Sequence, residues 1–156
     1  MNPEKLLIIN NFLAVSDDIS TAGQPTAEQF SLIAAAGFQA VINLAMSDSD
    51  GALDDEGDVV QSLNMNYVHI PVAWETPHLT DVEKFFDALN KHHQKKVFIH
   101  CTANKRTAVF VFLYRVIKMQ LPCTEVLPDV IKIWTPDARW TNFIEQVMNS
   151  HNVGTH

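Results

Sequence analysis

Basic residues are scarce in this chain of 156 residues: 11 Lys and Arg stand against 18 Asp and Glu, for a formal net charge of −7. The sequence-independent attraction that draws proteins to phosphate backbones is therefore missing for the molecule as a whole, which argues against a nucleic-acid partner. Long apolar runs are lacking as well. The longest early one, Leu6-Leu7-Ile8-Ile9, stops at Asn10 and Asn11, far short of a signal-peptide core or a membrane span. The expectation is a soluble, cytoplasmic chain with no membrane partner. Two cysteines, Cys101 and Cys123, are too few for a disulfide scaffold, and neither has the CxxC spacing of a zinc site. No metal and no cofactor is expected, and chemistry at cysteine is expected to be nucleophilic. The 5 glycines are fewer than a many-turned sandwich or barrel requires. No repeat period and no proline- or serine-rich linker divides the chain, so residues 1–156 read as one domain.

What is present is enough for a packed core. A chain of 17.5 kDa buries about two thirds of its unfolded surface and needs no staple. Residues 3–15 have mixed helical spacing, and residues 19–24 read as extended before Pro25. Thr26 with Gln29 forms a capping box for a helix that Gly37 ends. Residues 39–45 (QAVINLA) read as a buried strand, residues 66–72 (NYVHIPV) as a second and residues 96–100 (KVFIH) as a third. Between the first two lies an acidic stretch, residues 48–58, which fails the calcium-loop pattern and reads as a solvated loop before a short helix at 59–63. Thr80 with Glu83 is expected to cap a helix running to about residue 93. Residues 106–119 (RTAVFVFLYRVIKM) are apolar nearly all round, as in a helix at the centre of a domain. Helices near residues 123–134 and 137–150 follow. Strands alternating with helices imply an α/β fold, a central mostly parallel sheet with helices on both faces.

The informative segment is His100-Cys101-Thr102-Ala103-Asn104-Lys105-Arg106-Thr107, a short polar loop between an apolar strand and the buried helix. A cysteine at a strand's carboxyl end, facing a helix N-terminus, sits where orphan N–H groups and the helix dipole favour negative charge, so its thiolate is stabilised. Arg106 can bring its guanidinium fork back over the loop mouth to hold a tetrahedral oxyanion beside the sulfur. His100 can polarise the loop, and the Thr107 hydroxyl can donate to the sulfur.

In this context the chain resembles the cysteine-dependent phosphatases of the tyrosine and dual-specificity type, whose signature is His-Cys, five residues, Arg, then Ser or Thr. Ser20-Thr21-Ala22-Gly23-Gln24-Pro25-Thr26, the strand Gly37-Phe38-Gln39-Ala40-Val41-Ile42-Asn43-Leu44, His69-Ile70-Pro71-Val72 and Ile133-Trp134-Thr135-Pro136 with Trp140 are similar to a bacterial branch of these enzymes. That branch includes phosphatase-like domains found beside β-lactamase-like hydrolases, and the likeness covers about residues 18–145. The resemblance implies a phosphoric monoester hydrolase acting through a phosphocysteine. Cys101 is then the nucleophile, residues Thr102, Ala103, Asn104, Lys105, Arg106 and Thr107 hold the phosphate, and His100 supports them. Its partner is a phosphorylated protein or small molecule, or a phosphate or sulfate anion.

Two departures stand out. Four residues separate Cys101 from Arg106 where the signature has five. A loop of that length resembles the rhodanese sulfurtransferases, and losing one N–H donor to a charged ligand removes about 1.5–3 kcal/mol of anion binding. Asn104 tolerates the left-handed conformation that would close so short a loop. Where the family places its acidic Asp, this chain has Ala73-Trp74, which leaves Glu75 as the candidate general acid; Asp81 reads as a first-turn helix residue. The alternatives to hydrolysis are an inactive phosphate-binding module and rhodanese-like sulfur transfer. Of the remaining candidates, His92 and His93 read as a solvated helix end, His69 as a satisfied histidine, Cys123 as a helix-start cysteine, and Trp134 and Trp140 as core or pocket wall.

Overall fold

The computed structural model describes residues 3–152. A 3₁₀ segment, Pro3–Ile8, leads into strands β1 (Leu13–Ala14) and β2 (Ile19–Ala22). Helix α1 (Ala27–Ala35), β3 (Ala40–Asn43), α2 (Glu56–Ser62), β4 (Asn66–His69), α3 (Leu79–Lys91) and β5 (Val97–His100) then alternate. Three helices close the chain: α4 (Lys105–Ile117), α5 (Cys123–Ile131) and α6 (Ala138–Ser150). The sheet order is β1-β2-β5-β3-β4, antiparallel only between β1 and β2. β5 is thus central, with His100 in register with Ala22 on one side and Asn43 on the other.

Side-chain alternation along the strands divides the core in two. Ala40, Ile42, Val97 and Ile99 face a layer built from α3, α4, α5 and α6, with Phe85, Phe110, Leu113, Trp140 and Val147 buried there. Val41 and Phe98 face the opposite layer, where Phe30 and Ile33 of α1, Val60 of α2 and Leu6 of the 3₁₀ segment pack. Because both faces are covered, the central strands β3 and β5 are apolar up to their last residues, Asn43 and His100, as a parallel sheet demands. α4 is buried over most of its circumference, which explains why its sequence shows no polar face.

Local signals set several boundaries. Thr26 Oγ1 accepts from Gln29 N at 3.2 Å and Gln29 Oε1 accepts from Thr26 N at 3.0 Å, the expected box at the start of α1. Others differ from expectation. The first segment is a 3₁₀ turn that breaks before β1, where Asn11 has a φ of 51°. α3 starts at Leu79, one residue before the expected Thr80 cap, because the Asp81 carboxylate accepts from His78 N–H at 3.1 Å and closes the first turn there. α5 ends at Ile131. His92 is buried, with Nδ1 2.7 Å from Ala88 O, so only His93 of that pair is solvated.

Candidate active site

Residues 101–104 connect the carboxyl end of β5 to α4. The first intrahelical bond runs from Ala108 N to Asn104 O at 2.8 Å, so the N–H groups of Lys105, Arg106 and Thr107 precede the helical ladder. Asn104 makes the turn in the left-handed region with φ 67°. Its Nδ2 donates to Asn11 O at 2.8 Å and to Thr21 Oγ1 at 3.0 Å, and Asn11 Nδ2 donates to Ala103 O at 3.0 Å. The strand β2 extension presses on the other side: Gln24 N donates to Thr102 O at 3.0 Å. A Cβ on Gly23 would stand 2.6 Å from Thr102 O and 2.8 Å from Asn10 Nδ2, so only glycine allows this approach.

Arg106 lies in the first turn of α4 and is buried. Its Nη1 donates to Val72 O at 2.8 Å and its Nη2 to Thr102 Oγ1 at 2.9 Å. The guanidinium thus ties the loop after β4 to the cysteine loop and is held rigidly at the mouth. Trp74, Cys101, Thr102, Ala103, Lys105 and Arg106 line one cavity of about 230 Å³. The Trp74 ring that lines it is backed by two more indoles, 5.3 Å from Trp134 and 5.4 Å from Trp140, with Lys105 Nζ 5.6 Å from the Trp134 ring centre. Trp140 is fully buried and anchors this cluster to Phe110 and Phe143.

Behind the thiol, on the α1–α2 side of the sheet, His100 is fully buried. Its Nε2 is 2.7 Å from Glu56 Oε2, and Gln24 Nε2 donates to Glu56 Oε1 at 2.8 Å. Burial penalises the Glu56 carboxylate, but the His100 hydrogen bond and charge, together with the Gln24 bond, outweigh it and hold Glu56 below the ordinary carboxylate range. Tyr67 Oη accepts from Asn43 Nδ2 at 3.1 Å, and burial, reinforced by the Glu56 charge, pushes its hydroxyl up to about 12. His69 Nε2 lies 2.7 Å from Ala45 O, the satisfied histidine expected.

The model of the family described as DSP-PTPase phosphatase fused to NAD+ kinase (PTP-NADK) matches residues 14–128. The chain belongs to this family. A Shewanella putrefaciens protein described as a candidate phosphatase (DUF442) is similar at 33% identity and a TM-score of 0.86, over 96% of this chain and 99% of that one. Two more distant structures share the fold. The core catalytic domain of the PP-IP phosphatase SIW14 from S. cerevisiae, in complex with citrate, has 15% identity and a TM-score of 0.71 over 92% of this chain and 94% of its own. TpbA of P. aeruginosa, in complex with pTyr, has 14% identity and a TM-score of 0.70 over 99% and 94%. No curated protein sequence matches the chain. The fold is therefore that of the tyrosine and dual-specificity phosphatases.

Of the residues singled out in the sequence of this PTP-NADK family member, Cys101, Thr102, Ala103, Lys105 and Arg106 meet at one cavity. Asn104 is buried beside them but turns its side chain to Asn11 and Thr21. The Thr107 hydroxyl is buried and has no hydrogen-bond partner among the described residues. Glu75 is exposed next to Trp74 and does not line the cavity. Cys123 begins α5. One reading is corrected outright: within the acidic stretch 48–58, Glu56 is not solvated but 3% exposed, as the partner of His100. The spacing of Glu56 and Val60, both buried on α2, is the helical signal that would have revealed it. Gly23, Gln24 and Asn11 also shape the site; the first two fall within the Ser20–Thr26 segment that carries the family resemblance, whereas no local pattern distinguishes Asn11.

Proposed function

We propose that this protein is a cysteine-dependent phosphoric monoester hydrolase. Cys101 Sγ attacks the phosphorus of a bound monoester in line with the leaving oxygen. The P–O bond breaks, and the phosphoryl group is carried as phosphocysteine until water releases it as inorganic phosphate. Arg106 and the N–H groups at the start of α4 hold the equatorial oxygens, and the helix dipole favours their charge. Thr107, whose buried hydroxyl has no hydrogen-bond partner among the described residues, donates to the thiolate. Glu75, on the loop that also carries Trp74, protonates the leaving oxygen. The observation that carries this reading is the convergence of Cys101 and a doubly anchored Arg106 in one cavity. The aromatic wall of Trp74 favours a flat leaving group, and the pTyr bound by TpbA is of that class.

A specific feature supports a second reading. The cavity lining includes no carboxylate, which is what a phosphate-binding module without turnover would have. Pre-steady-state hydrolysis of p-nitrophenyl phosphate by the wild type and by Cys101→Ser separates the two. A burst of nitrophenolate in the wild type, absent from the serine variant, is the expected result. Phosphate binding without any burst would make the protein a binding module.

A further inference from the structure

His100 and Glu56 form a buried hydrogen-bonded pair, Nε2 to Oε2 at 2.7 Å, that the phosphoryl chemistry does not use. The imidazole lies on the face of β5 opposite Cys101, with the Phe30 ring 5.9 Å away at 63°. Nε2 faces Glu56 Oε2 at 2.7 Å, and Nδ1 faces Cys101 O at 3.2 Å. Both ring nitrogens therefore point at oxygen. A neutral imidazole has a single N–H and would set a lone pair against one of those oxygens, whereas an imidazolium donates to both. The other Glu56 oxygen is engaged by an amide donor from Gln24 at 2.8 Å, which also suits a carboxylate. Neither residue is solvated, with exposures of 0% and 3%. The titratable neighbours on the packed elements are His69 and Tyr67 of β4; the remaining contacts are Gln24 after β2 and Phe30 of α1.

We propose that Glu56 is a positioning residue for the nucleophile, its carboxylate holding His100 as an imidazolium hydrogen-bonded to the main chain of Cys101. The thiolate then faces the imidazolium end of a net-neutral pair from behind the loop, as well as the Arg106 charge in front. This compensates for a cradle with one residue fewer than the phosphatase signature. The inference rests on Cys101 acting as a thiolate, as in the proposed hydrolysis.

The test reads protonation, not turnover. Thiolate absorbance near 240 nm is titrated in the wild type and in Glu56→Gln, each corrected by the matching Cys101→Ser protein. The ring nitrogens of His100 are followed by ¹⁵N NMR. The wild type is expected to show both nitrogens protonated at pH 7. Glu56→Gln is expected to show one unprotonated nitrogen and a thiolate midpoint about one pH unit higher, a tenfold loss of thiolate on the acid limb. An unmoved midpoint in a folded Glu56→Gln protein overturns the proposal. So does a neutral His100 ring in the wild type, which decides the matter even if the variant does not fold. Charged His100 in a protein that turns over no phosphate ester would sink the hydrolase reading and leave this inference standing. Active hydrolysis with a neutral ring would do the reverse.

Discussion

Asn104 donates its side-chain amide to Asn11 O at 2.8 Å while Asn11 returns its own amide to Ala103 O at 3.0 Å, a reciprocal clamp between segments 93 residues apart. It explains how a loop with four residues between cysteine and arginine closes. The left-handed turn at Asn104 shortens the path, and the N-terminal segment holds the turn in place.

The clamp makes a graded prediction. Asn104→Gly loses the two donor contacts but keeps an easy left-handed turn. Asn104→Ala loses the contacts and also forces a Cβ into that region, adding about 1–2 kcal/mol. Chemical denaturation should rank stability as wild type, then glycine, then alanine. Equal loss in both variants would mean the backbone conformation is not what Asn104 contributes.

Gly23→Ala tests the other side of the loop. A methyl group 2.6 Å from Thr102 O must displace backbone, at a cost of about 1–3 kcal/mol. The displaced atoms belong to the anion cradle, so phosphate affinity measured by calorimetry should fall along with the melting temperature. A stability loss with unchanged affinity would show that the shift relaxes away from the cavity.

Arg106→Lys should weaken phosphate, sulfate or vanadate binding by about 10- to 150-fold, the worth of one hydrogen bond to a charged group. The charge is kept, but an ammonium cannot bridge Val72 O and Thr102 Oγ1 while also facing the ligand. Calorimetry with each anion is the check, and unchanged affinity would place the anion elsewhere.

If Glu75 protonates the leaving oxygen, Glu75→Gln should slow alkyl phosphates with basic leaving groups by about 10²- to 10⁴-fold and activated aryl phosphates much less. Equal slowing of both would assign Glu75 to binding. No slowing of either would rule out Glu75 as the acid.

Two groups behind the loop give stability a pH dependence of known sign. Glu56 is held below its ordinary value of 4.5, so the stability it contributes is fully present above that pH and is lost as pH falls through its lowered folded value. Tyr67 is raised from 10.0 to about 12, so its contribution is present below pH 10.0 and is lost on the way to about 12. Denaturation of wild type against Glu56→Gln on the acid side, and of wild type against Tyr67→Phe on the alkaline side, should show each variant with a flatter profile. The phenolate difference spectrum should place the Tyr67 midpoint near 12.

Whatever depends on neighbours along the chain was legible in the residues alone. The strand-helix alternation, the Thr26–Gln29 box and the placing of Cys101 and Arg106 around a helix start all follow from spacings of a few residues. What lies behind and beside that loop was set by contacts between distant segments. Val72 O reaches Arg106 across 34 residues, Glu56 reaches His100 across 44, and Asn11 reaches Asn104 across 93. A carboxylate in an acidic run reads as solvated, because nothing local marks the one that a parallel sheet will carry against a buried histidine. Once water is excluded, such a charge must find a partner, and the register of β5 between β2 and β3 determines which partner is there.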